Sequence, residues 1–330
     1  MNTGRIYILL SLSIIILFGV SLIHGSVDIP PREVWTILFD DTGSRDSWRF
    51  IIMDSRLPQA LTALLAGGAL AVSGLLLQTA FRNPLAAPDI FGVTSGASLA
   101  VALLTLAPVT WFTGTLSYLS SVAAAFAGAI AVTALIWTLG KVVRSYMVLI
   151  ILGIMIGYLA SSAITLLNFF ATEEGVKSFA VWGMGSFGNV SMDQMPLFGT
   201  VTLVVTMGTM LLCKPLNALL MGENYAGNLG INVRGIRNIL LVVTGLLTAV
   251  VTAFCGPIAF IALAVPHIAR LYLRTSDHRR LLPVTILTGS AIALLCNVLT
   301  CLPGEAGILP LNAVTPIIGA PVIIYVILKR

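Results

Sequence analysis

Charge is scarce in this chain. Only 9% of its 330 residues are Asp, Glu, Lys or Arg, against 58% apolar, and the mean hydropathy is +1.01. A composition so poor in charge excludes a soluble domain and predicts an all-α integral membrane protein. Histidine is scarce as well: His24, His267 and His278 lie far apart, without H-E-x-x-H or any metal-ligand spacing, which excludes a zinc hydrolase site. His267, beside Pro266, reads as a structural residue at a helix end. The four cysteines, Cys213, Cys255, Cys296 and Cys301, form no C-x-x-C pair. They read as buried small hydrophobes, with a Cys296–Cys301 disulfide as the alternative. There is no phosphate loop, since Gly140-Lys141 is followed by Val142, and no serine nucleophile elbow. No basic run is long enough for nucleic acid. Apart from residues at span ends such as Asp54, no acidic or basic side chain falls inside an apolar block, so the chain offers no proton relay.

The apolar residues gather into ten blocks of roughly the 20 residues needed to cross a hydrocarbon core. They lie near 6–24, 57–80, 90–107, 117–139, 147–169, 195–213, 236–255, 257–273, 282–302 and 309–328. The first has only Arg5 ahead of it and no small-residue cleavage site, so it reads as a retained span. The eighth carries Pro266 and is expected to be tilted or broken. With the N-terminus inside, thirteen of the eighteen Lys and Arg residues fall in cytoplasmic segments, and only Arg32, Arg45, Arg49, Arg56 and Lys177 lie outside. That bias predicts ten transmembrane helices with N and C termini cytoplasmic. Two five-span halves then run in opposite directions, which fits an inverted 5+5 repeat within a single domain, 1–330.

Three polar or amphipathic features interrupt the apolar pattern. The cytoplasmic loop 214–237 reads as two short helices. In the first, Pro215 suits the opening turn, Leu216, Leu219 and Leu220 share a face, and Gly222 ends it; in the second, Glu223 sits near the start, Tyr225, Ala226 and Leu229 share a face, and Gly230 is placed as a left-handed cap. Such a loop is either a docking surface or a connector lying on the bilayer. The fifth block carries Gly153, Gly157 and Ser161 at i, i+4 spacing, continued by Thr165 and Asn168: a pathway-lining or interface stripe, or ordinary packing. On the outer side, EVWTILF after Pro30-Pro31 and the glycine-rich 182–190 stretch read as interfacial or re-entrant segments.

Seven ordered blocks, including Arg56-Leu57-Pro58, GGALAVSGLLLQ from Gly67, NPLAAPDIFGVTSGA from Asn83, LLMGENYAGNLGINV, GPIAFIALAVPHIAR from Gly256 and DHRRLLP from Asp277, resemble the FecCD-type permeases. These are the membrane subunits of binding-protein-dependent ABC importers for iron chelates, haem and cobalamin, and the resemblance covers essentially the whole chain. It implies a homodimer in the bacterial inner membrane, with two ATP-binding cassette subunits that bind ATP and Mg, an extracytoplasmic binding protein, and no cofactor or covalent chemistry in this chain. Leu219, Gly222, Glu223, Ala226, Leu229 and Gly230 match the ATPase-coupling loop. Asn83, Pro84, Ser145 and Tyr146 match a cytoplasmic gate, and Arg56 an external arginine that meets the binding protein. Ser161, Thr165 and Asn168 are the expected pathway residues. Gln59 stands where the family often has a second arginine, Asn297 where aspartate is usual and Cys301 where a third arginine occurs, which alters the expected docking charges. The usual Glu-Leu-Pro reads Ile308-Leu309-Pro310, with Glu305 displaced upstream. An ion-coupled carrier and a membrane-embedded enzyme are the competing classes; both lack the residues they need.

Overall fold

At the centre of the bundle two helices meet backbone to backbone through glycine. A Cβ added to Gly67 would lie 2.4 Å from the Gly289 carbonyl oxygen, and one added to Gly289 would lie 2.3 Å from that of Gly67. Between helices in lipid there is no hydrophobic drive to associate, so close approach through small residues supplies the contact. The computed structural model describes residues 3–39, 45–106, 117–143, 145–302 and 307–328.

Within these residues the chain forms α1 (Thr3–Ile23), α2 (Pro31–Phe39), α3 (Asp46–Ala80), α4 (Val93–Thr105), α5 (Ser117–Val142), α6 (Tyr146–Phe170) and α7 (Glu173–Gly183). It continues with α8 (Met195–Gly208), α9 (Cys213–Met221), α10 (Glu223–Asn228), α11 (Val233–Cys255), α12 (Ile261–Leu273), α13 (His278–Thr300) and α14 (Leu311–Leu328). There are no strands among the described residues. Every expected block contains a helix, but among the described residues only seven helices are both long and apolar enough to cross a membrane. The segments α4 and α12 have 13 residues each, about 20 Å at 1.5 Å per residue, and fall short of a full hydrocarbon core.

The helix α3 is the axis. It packs most extensively on α13, and also on α11, α12 and α8, while α1 covers α13. It begins eleven residues before the expected block and passes through a π-helical turn, Ile51–Arg56. Pro58 explains the turn: its ring would clash with the carbonyl four residues back, and the wider π turn relieves that. By contrast α6 is peripheral, touching α4 and α5 and leaving most of its surface uncovered.

Gly74 of α3 shows how Pro266 is accommodated. A Cβ there would stand 1.7 Å from the Ala262 carbonyl oxygen. Ala262 is four residues before Pro266, which has no N–H to offer that carbonyl, so the glycine's bare backbone packs against it. The helix therefore continues through Pro266 instead of breaking, and the interruption falls earlier, at Gly256–Phe260, where Gly256 and Phe260 take φ of 74° and 68°. His267 lies inside α12, not at its end, and its Nε2 is 2.8 Å from the Pro84 carbonyl oxygen. All four cysteines are free.

Candidate functional site

The polar turn between α9 and α10 is built by glycines at both ends. Gly222 (φ 118°) separates the helices, and Gly230 (φ 79°) closes α10. Gly230 N–H donates to the Gly227 carbonyl (2.9 Å) and Ile231 N–H to the Ala226 carbonyl (3.1 Å), a complete Schellman cap. The span α8 runs into α9 through a single 3-10 turn, Thr209–Leu212, with no non-helical residue between them.

The expected coupling residues do not share one face. Leu219 and Ala226 are buried at 4% and 0% exposure and turn inward, holding the two helices on the bundle. Glu223 is half-buried and pairs with Arg237 at 3.1 Å, tying α10 to α11. The outward apolar face consists of Met221 (68% exposed), Tyr225 and Leu229 (59%). These line an open groove of about 440 Å³ together with Lys214, Asn217, Ala218, Asp277 and Arg279. Asp277, Arg279, Asn217 and Lys214 escaped the sequence reading as groove residues, although DHRRLLP marks the start of α13. Asp277 caps α13, its Oδ1 accepting from Arg279 N–H (3.1 Å) and from the Asn217 amide (2.6 Å). The Asn217 amide hydrogen bond, foremost, holds the Asp277 carboxyl below its usual pKa.

Among the gate residues, Asn83 makes an Asx turn, its Oδ1 accepting from Leu85 N–H at 2.9 Å. Pro84 is anchored through its carbonyl by His267. Ser145 caps α6 with extended backbone and makes no side-chain cap bond. The side chain of Tyr146 lies outside the described residues.

The α6 stripe meets two environments along its length. Gly153 packs on the Ile90–Phe91 backbone, where a Cβ would meet atoms at 2.7 Å, so the glycine end is contact within the chain. Ser161 and Thr165 are exposed, and Thr165 Oγ1 donates to the Ser161 carbonyl at 2.9 Å. Asn168 carries a buried Oδ1 with no bond among the described residues.

Arg56 departs most from expectation. It is buried, and its guanidinium donates to the carbonyls of Leu22 (2.9 Å), Ile23 (2.6 Å) and Val27, closing the end of α1. An exposed arginine ready for a partner's carboxylate is not what the fold presents. The reason is local: the last carbonyls of α1 lack helical partners, and a forked donor satisfies them. Gln59, the second expected docking residue, is half-buried and bonded to Asn297. Glu305 lies outside the described residues.

Long apolar helices packed through glycine, joined by short polar turns, define a multi-pass membrane protein. The FecCD transport family profile matches residues 13–329, and the chain belongs to that family. It is 32% identical over 323 residues to the hemin transport system permease protein HmuU of Yersinia pestis, covering 98% of this chain and 94% of the relative. It is 35% identical over 325 residues to the vitamin B12 import system permease protein BtuC of Escherichia coli O157:H7, covering 97% and 94%. Among solved structures it matches an inward-facing metal-chelate type ABC transporter with a TM-score of 0.84 at 28% identity, covering 99% of this chain and all of that one.

Proposed function

We propose that this chain is the membrane permease of a type II, binding-protein-dependent ABC importer for a bulky metal-bearing ligand: haem, cobalamin or a ferric siderophore. The observation that carries the reading is the α9–α10 groove, an exposed Met221–Tyr225–Leu229 face flanked by Lys214, Asp277 and Arg279, in a chain whose relatives are named as haem and vitamin B12 permeases. An apolar centre rimmed by both signs of charge suits a protein partner better than a lipid headgroup. The groove docks one ATP-binding cassette subunit per copy; ATP and Mg stay on those subunits. Closure of the ATPases moves α9–α10 and resets the bundle by alternating access.

In the working assembly two copies pair in a bacterial inner membrane. Ten spans cross it, both termini are cytoplasmic, the halves form an inverted repeat, and a binding protein delivers ligand at the outer face. The exposed Ser161 and Thr165 of α6, with Asn168, face the pathway between copies; no role in covalent chemistry falls to this chain. Coupling passes through Met221, Tyr225 and Leu229, with Gly222 and Gly230 shaping the turn and Leu219, Glu223 and Ala226 holding it.

Co-expression with the cognate ATPase tests the docking. Tyr225→Glu with Leu229→Glu should abolish co-purification of the ATPase while the permease still elutes as a folded species in detergent. Undiminished co-purification would overturn the docking assignment.

A further inference from the structure

The groove's inner wall is polar, and its bonds lead away from the docking face into the bundle. Asn217 of α9 lines the groove. Its Nδ2 donates to Asp277 Oδ1 at 2.6 Å, and its Oδ1 accepts from the backbone N–H of His278 at 2.8 Å and lies 2.9 Å from His278 Nδ1. The imidazole is 1% exposed, and its Nε2 is 2.9 Å from Thr79 Oγ1, in the last turn of α3. Thr79 is four residues before Asn83, and the following Pro84 is held by His267.

The proton inventory selects one arrangement. Asn217 Oδ1 can only accept, so Nδ1 carries the hydrogen toward it, and the neutral ring then presents a bare Nε2. The Thr79 hydroxyl fills that nitrogen by donating to it, turning away from the Leu75 carbonyl that lies at the same 2.9 Å. Every polar group from groove to α3 then has a partner.

We propose that Asn217, His278 and Thr79 form a relay that makes α3 and α13 follow α9, with His278 as its positioning residue. The other contacts of α9 with the bundle are the buried Leu216 and Leu219, apolar and tolerant of sliding, and two long bonds, Cys213 Sγ to the His278 carbonyl at 3.6 Å and Arg82 Nη2 to the Leu220 carbonyl at 3.5 Å. Directional bonds to a buried ring do not tolerate sliding, because displacement of α9 alone strands Asn217 or a ring nitrogen without a partner. A push on the groove therefore reaches the Asn83–Pro84 turn chiefly through one imidazole, since the Arg82–Leu220 bond beside that turn is long and exposed. This inference rests on the ATPase-docking reading above.

The test uses the permease–ATPase complex in nanodiscs, with Cys301→Ser and spin labels on Leu85→Cys of both copies, trapped with ATP and orthovanadate. In the otherwise unaltered complex, trapping should shift the label separation. Each of His278→Gln and Thr79→Val should reduce that shift at least threefold while the ATPase still co-purifies. The double variant Thr79→Val/His278→Gln should lose no more than either alone, since both break the same chain. Thr79→Val keeps shape and lies away from the groove, so it reads the relay without touching the docking face. A full shift in the His278→Gln and Thr79→Val complexes, or no shift in the unaltered one, overturns the relay. Failure of Tyr225→Glu/Leu229→Glu to release the ATPase overturns the docking reading instead.

Discussion

Gln59 Nε2 donates to Asn297 Oδ1 at 2.8 Å, joining α3 to α13 across 238 positions of sequence. Two positions that the family resemblance leads one to expect charged are both amides here, and they face each other. Asn297 is buried, with its Nδ2 3.4 Å from Ser21 Oγ of α1, so the pair sits where three helices meet. A neutral pair satisfies the site without two desolvated charges.

Changing one partner alone should therefore cost more than changing both. Gln59→Arg or Asn297→Asp singly places an uncompensated charge in this junction and should destabilise by about 2–4 kcal/mol. Gln59→Arg/Asn297→Asp should recover at least half of the larger loss. Thermal unfolding of the four proteins in detergent measures the coupling.

Arg56→Ala should act on stability. Removing the guanidinium leaves the Leu22, Ile23 and Val27 carbonyls unpaired, a loss of about 2–3 kcal/mol for bonds to a charged group. Arg56→Lys should regain only part, since a single ammonium cannot reproduce the fork. If Arg56→Ala melts like the unaltered chain but loses the binding protein in a pull-down, the helix-closing role is wrong.

Gly74 and Gly208 make a matched pair. A Cβ at Gly74 would overlap the Ala262 carbonyl at 1.7 Å, whereas one at Gly208 meets nothing within 4 Å. Gly74→Ala should drive α3 and α12 apart and cost about 3 kcal/mol or more, at the upper end for overpacked cores because the clash is with backbone. Gly208→Ala should be neutral or mildly stabilising. Yield of monodisperse protein and melting temperature separate the two.

Asp277 should give an acid-side signature. Its carboxyl is held below its usual pKa by the Asn217 amide first and the Arg279 N–H next. A depressed folded value means the contribution is fully present above the unfolded pKa of about 4 and is lost as pH falls through the folded value. Melting temperature should thus fall more steeply below about pH 4 in the unaltered chain than in Asp277→Asn. Parallel curves would remove the carboxylate from the account.

Much of the site is legible in the sequence. Apolar blocks marked the helices, and Gly222 and Gly230 marked a two-helix turn that has those ends. The facing of its residues was not legible. The pattern groups Tyr225, Ala226 and Leu229 on one face and Leu219 with Leu216 and Leu220, yet Ala226 is buried while Tyr225 and Leu229 are exposed, and Met221, in neither group, joins them. A helix of six residues is under two turns, so its apolar positions do not specify which side meets the bundle. His278 was invisible as a hub because its partners, Asn217 and Thr79, lie 61 and 199 residues away.

The sequence alone determined the membrane class, the helical blocks, the position of the α9–α10 turn and the resemblance to the family that now holds the chain, because hydrophobic run length and turn glycines are local signals. Tertiary structure alone decided that Arg56 closes a helix, that Gln59 meets Asn297, and that Asn217, which lines the α9–α10 groove, bonds to the buried His278. Those pairings depend on how closely backbones approach at Gly67, Gly74 and Gly289, a property of packed helices with no local trace in the chain.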